Sequence, residues 1–81
     1  MVTADQVKTY IESTLPCEYV SVEGDDGRHF QAHIVSTQFQ GKSMVQQHQL
    51  VYKSLGDHMK QNIHALSIRT FTPEEWAIHQ A

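Results

Sequence analysis

Ile63-His64-Ala65-Leu66-Ser67-Ile68-Arg69-Thr70-Phe71-Thr72-Pro73-Glu74-Glu75-Trp76 is the stretch on which the fold turns. Leu66 and Ile68 alternate with Ser67 and Arg69, the two-residue period of a strand with one buried face. Thr72-Pro73-Glu74-Glu75 then starts a helix, with threonine at the N-cap, proline at the first helical position and two carboxylates beside the positive end of the helix dipole. Trp76 falls one turn in, where it packs back on the sheet. His64 opens the strand, a position that holds a side chain firmly and lets one ring nitrogen face outward as a metal ligand.

Upstream, Val45, His48, Tyr52, Leu55 and Met59 recur every three or four residues behind a Ser43–Gln46 capping box. This predicts a helix, or two short helices bent near Gly56. Phe30, Ala32 and Ile34 point inward while His29, Gln31 and His33 point outward, and Val20 and Val22 alternate with Tyr19, Ser21 and Glu23. These two strands form a hairpin through the acidic turn Gly24-Asp25-Asp26-Gly27. A Thr3–Gln6 capping box precedes Val7, Tyr10, Ile11 and Leu15, a first amphipathic helix that Pro16 stops.

A connection that contains a helix favours a right-handed crossover and a parallel pairing of strands two and three. The expected fold is α+β, a two-layer sandwich in the order α-β-β-α(α)-β-α, with a mixed three-stranded sheet and the helices on one face. Eighty-one residues make one domain, spanning 1–81, without repeat or linker. A chain this short buries roughly 60% of its unfolded surface, too little to enclose a private cavity. A module that shares a site with a partner fits this size better than an enzyme acting on a small-molecule substrate.

A net charge of −3, with six scattered basic residues, gives no general attraction to nucleic acid. Cys17 is the sole cysteine, so neither an internal disulfide nor a thiolate-only metal site can form within one chain, which suits a reducing cytoplasm. No apolar run approaches the roughly 20 residues of a membrane span, and Met1-Val2-Thr3-Ala4-Asp5 lacks signal-peptide character. Cytoplasmic residence follows as the expectation.

Six histidines invite a metal hypothesis, yet His48, His58 and His79 suit helical faces, and His33 suits the surface. His29 and His33 lie two apart on one strand face, too few ligands for a private zinc site. Cys17, small and half-buried, has no cationic neighbour to activate it. Gly24-Asp25-Asp26-Gly27 matches the Gly-x-x-Gly of K-homology domains, but it is doubly acidic and joins strands rather than helices, so it reads as a hairpin turn.

Phe39-Gln40-Gly41-Lys42-Ser43, Leu50-Val51-Tyr52-Lys53-Ser54-Leu55 and Ile63-His64-Ala65-Leu66-Ser67-Ile68 together resemble the BolA family, closest to its short bacterial BolA-like (IbaG) branch. The resemblance covers nearly the whole chain and implies a fold related to the type II K-homology arrangement. It implies that His64 is the characteristic cluster ligand. The family's second ligand, a cysteine or histidine, comes from the loop between strands one and two; here His29 is the candidate, with Asp25, Asp26 or no residue as alternatives. The implied role is that of a non-enzymatic adaptor that shares a [2Fe–2S] cluster with a monothiol Cys-Gly-Phe-Ser (CGFS) glutaredoxin, in cluster trafficking, repair or iron and redox sensing linked to stress response. The glutaredoxin brings its active-site cysteine and a bound glutathione. Two imidazoles at one iron raise the cluster's reduction potential and make its binding sensitive to protonation. Lys42, Ser43 and Lys53 of the middle helix region, with Ile63 and Ala65, are the expected docking surface. The alternative is a nucleic-acid-binding transcriptional regulator, with weak binding through a patch of Lys53, Lys60 and Arg69.

Overall fold

The computed structural model describes residues 2–24, 26–58 and 65–80. Helix α1 runs Ala4–Thr14, strands β1 and β2 span Tyr19–Glu23 and His29–Val35, helix α2 runs Met44–Leu55, strand β3 spans Ala65–Phe71 and helix α3 runs Pro73–Gln80. The sheet order is β1-β2-β3, with β1 antiparallel and β3 parallel to β2, giving the expected mixed sheet.

Local chemistry sets the element ends. At α1, Thr3 Oγ1 accepts from the Gln6 amide at 3.2 Å while the Thr3 amide donates to Gln6 Oε1 at 2.8 Å. Ser43 and Gln46 repeat this reciprocal cap at α2, and Thr72 and Glu75 repeat it at α3. Each cap satisfies amides that have no intrahelical acceptor. Gly56 ends α2 with φ +55°, a backbone region that disfavours side chains with a Cβ.

Alternation along the strands assigns the two faces. Val20, Phe30, Ala32 and Ile34 turn inward and meet Val7, Ile11 and Leu15 of α1 and Val51 and Leu55 of α2 in one core, with Leu66 and Ile68 packed against it. Phe39, fully buried at the end of the 3-10 turn Thr37–Phe39, plugs the same core. That turn falls where apolar periodicity breaks down, and its core role was illegible from the pattern.

Three expectations need correction. The buried stripe of α2 carries Val51 and Leu55 with half-buried Gln47, Leu50 and Ser54, whereas Val45 is 66% and Tyr52 41% exposed. Gln47 faces inward because its amide nitrogen reaches the Phe39 and Lys42 carbonyls at 3.2 and 3.0 Å and its oxygen accepts from Thr70 Oγ1 at 2.6 Å. Met59, also placed on that stripe, lies outside the described residues. Second, α3 does not join α1 and α2. Phe71 ends β3 on the outward row, and Trp76 packs there against Phe71, Tyr19 and His33 at ring-centroid distances of 5.0, 5.3 and 6.0 Å. Third, His33 is half-buried in this aromatic group rather than a plain surface residue.

Ser36 ties the crossover together. Wholly buried, it donates from Oγ to the Pro16 carbonyl at 2.6 Å and accepts from the Gln38 amide at 3.0 Å, while its own amide donates to the Phe71 carbonyl. Ser36→Ala removes both part-buried hydroxyl bonds, to the Pro16 carbonyl and from the Gln38 amide, and urea melts should show a loss of about 1–2 kcal/mol. Ser13→Ala, which removes only an exposed bond to the Tyr10 carbonyl, should stay within about 0.5 kcal/mol of the parent.

Candidate functional site

Parallel pairing sets His29 opposite Ala65, and the Ala65 amide donates to the Arg28 carbonyl at 2.9 Å. Since Ala65 follows His64 in the chain, the first residue of β2 is brought beside the chain position next to His64. His64 and Ile63 themselves lie outside the described residues, as do Asp25 and Lys60.

Asp26 builds the turn that presents His29. Its Oδ1 accepts from the Arg28 and His29 amides at 2.9 and 2.8 Å, and its Oδ2 accepts from His29 Nδ1 at 2.8 Å. The His29 amide, its imidazole and the Arg28 amide together hold the Asp26 carboxyl well below the usual carboxylate range. A folded-state value below the unfolded one contributes stability above about pH 4, and the contribution fades as acid protonates the carboxylate. Asp26 thus fixes the orientation of the His29 imidazole. The signal was legible in outline: an aspartate three residues before a histidine in a glycine-bounded turn.

Around this point Val22, Glu23, Gln31, Ala65 and Ser67 line a shallow, open depression at one end of the sheet. Gly24 lets the chain turn tightly there. A Cβ at Gly24 would stand 2.5 Å from the His29 carbonyl oxygen and 2.6 Å from the Phe30 ring.

Cys17 sits at the other end of the sheet. Glu18 follows it and donates its amide to the Val35 carbonyl, and β2 separates Val35 from His29 by six residues, about 20 Å at roughly 3.3 Å each. The two residues cannot share one metal. The thiol donates to the Leu15 carbonyl at 3.1 Å, and burial, followed by the Glu12 and Glu18 carboxylates, pushes it up to about 11.

The remaining site residues divide. Lys42 and Lys53 flank a groove with Gly41, Gln46, Gln49 and Leu50, which shares no lining residue with the depression near His29 and Ala65. Ser43 belongs to the α2 cap. His58 stacks on Tyr10 with ring centroids 3.7 Å apart, and His79 stacks on Trp76 at 5.4 Å. Gly24 and Gly27 bracket a β1–β2 hairpin turn, not a helix-to-helix clamp. Among the described residues no three histidine, cysteine or carboxylate side chains cluster to hold a metal, and no helix is long and apolar enough to cross a membrane.

Comparison with known proteins gives a consistent picture. The BolA-like protein family profile matches residues 3–75. The chain is 39% identical over 74 residues to the acid stress protein IbaG of Escherichia coli K12, covering 90% of this chain and 87% of that one. It is 46% identical over 48 residues to the DNA-binding transcriptional regulator BolA of Haemophilus influenzae, covering 59% and 47% of the two chains. It is 55% identical over 53 residues to SufE-like protein 1 of Arabidopsis thaliana, matching 64% of this chain but 14% of that longer protein. A solved bolA homologue from Coxiella burnetii superposes with a TM-score of 0.87 at 45% identity, covering 95% of this chain and 99% of that one.

Two outcomes test this geometry. At pH 8 native Cys17 should alkylate with iodoacetamide about a hundredfold more slowly than in the urea-unfolded chain, because the thiolate is the nucleophile; equal rates would contradict the buried, acidic surroundings. Because the raised thiol holds its proton in the folded state, its stabilising contribution is lost as pH rises through about 11. Gly24→Ala should cost about 1–3 kcal/mol from overpacking and shift the amide resonances of His29 and Phe30 before those of α2.

Proposed function

The chain belongs to the BolA-like family, and from that premise we propose that it is a non-catalytic adaptor that shares a [2Fe–2S] cluster with a monothiol CGFS glutaredoxin. One observation carries this reading: the β2–β3 register brings His29, already oriented by a carboxylate, beside the chain position following His64. A carboxylate on the second ring nitrogen is the arrangement that fixes tautomer and raises basicity in metal-ligating histidines. The donor set fits a shared cluster rather than a private one. His64 and His29 supply two imidazoles, the lone thiol lies at the far end of β2, and the thiolates must therefore come from a partner, with glutathione bound to it. Cluster trafficking, repair or sensing by transfer to or from that partner is the resulting role, and the reducing cytoplasm is its setting.

The relative named as a DNA-binding regulator keeps nucleic acid as the rival. The net charge of −3 and the acidic hairpin turn favour the adaptor.

Mixing the protein with cluster-loaded glutaredoxin should change the visible spectrum. His64→Ala should abolish the new bands while leaving the fold and apo-complex formation intact, His29→Ala should weaken or shift them, and Cys17→Ser should change nothing. An unchanged spectrum in His64→Ala with binding confirmed removes His64 as a ligand, and tight sequence-selective DNA binding at about 0.15 M salt would promote the regulator instead.

A further inference from the structure

Strand β3 is an edge of the sheet, and its ladder with β2 decides which of its backbone groups remain open. The Ala65 amide donates to β2's neighbour Arg28, and the Phe71 carbonyl accepts from Ser36. In a parallel ladder, residues alternate between turning both groups to a neighbour and turning both away. The odd-numbered residues therefore bond towards β2, while Ile68 and Thr70 aim N–H and C=O at the open side. Among the described residues no backbone partner meets them there.

This open edge is the floor of a groove. Met44 and His48 of α2 form one wall and Ile78 and His79 of α3 the other, with Met44 70% and Ile78 76% exposed. Arg69 stands on the same stretch with its guanidinium carbon 5.7 Å from the Phe71 ring centroid, and among the described residues no carboxylate pairs with it. β3 carries no proline and no bulge among its seven residues to blunt the edge.

We propose that the open edge of β3 is a strand-addition site for an extended segment of a partner polypeptide, apolar at alternate positions and carrying a carboxylate where it passes Arg69. Backbone donors and acceptors spaced two residues apart recognise an extended main chain, the exposed Met44 and Ile78 on the two walls take apolar side chains, and the cation selects an acid among them. This site is separate from the His29 depression and does not depend on cluster sharing.

The test titrates ¹⁵N-labelled protein with the acetylated heptapeptide Val-Glu-Val-Glu-Val-Glu-Val, with a lysine-for-glutamate counterpart beside it. In the peptide-free protein the Ile68 and Thr70 amides should exchange with solvent faster than those of Ser67 and Arg69. The glutamate peptide should then shift and protect the Ile68 and Thr70 amides, and Arg69→Glu should weaken it about threefold while favouring the lysine peptide. Absence of shifts at these two amides with millimolar peptide overturns the proposal. So do the same shifts on concentrating the protein alone, which assign the edge to a second copy, and shifts produced by oligothymidylate but not by peptide, which assign it to nucleic acid.

Discussion

The parallel register of β2 with β3, from His29 opposite Ala65 to Val35 opposite Phe71, is the constraint on which the rest of the molecule depends. Parallel neighbours cannot be joined by a tight turn, so the chain must leave the sheet after β2, cross over a layer and return. That crossover contains α2, and the face α2 covers is the one that holds the core. The same register leaves β3 as an open edge, turns Phe71 to the outward row where α3 docks, and carries His29 to the chain position next to His64.

Polar ties hold the crossover in place as much as apolar burial does. Ser36 joins the end of β2 to the segment before β1 and to the end of β3. Gln47 spans the loop carbonyls of Phe39 and Lys42 and the hydroxyl of Thr70. Among the described residues every buried side-chain polar atom has a partner, so each tie specifies one arrangement without leaving an unsatisfied group. In a domain this small, a few such bonds are a large fraction of net stability.

The chemistry at the two ends of the sheet is opposed. At one end an exposed imidazole is held by a carboxylate that stays ionised; at the other a buried thiol among carboxylates stays protonated. The imidazole is exposed beside a carboxylate, and the thiol is held by the Leu15 carbonyl in partly buried surroundings.

Much of this was legible in the residues alone, because it rests on local chemistry. The caps at Thr3, Ser43 and Thr72, the alternation in β1, β2 and β3, and the hairpin character of the Gly24 to Gly27 turn all follow from groups within a few residues of one another. The mixed sheet followed from the helix-bearing connection, and membership of the family from motifs at 39–43, 50–55 and 63–68. What required tertiary structure was every choice between equally periodic alternatives. The spacing of α2 pointed to a stripe with Val45 and Tyr52, whereas the bonds of Gln47 to the Phe39 and Lys42 carbonyls and to Thr70, the last 23 residues away, turned Gln47 and Val51 inward instead. The side of the sheet taken by α3 depended on Phe71 facing outward towards Tyr19 and His33. The distance between Cys17 and His29 was set by strand length and antiparallel direction, which no spacing in the chain displays.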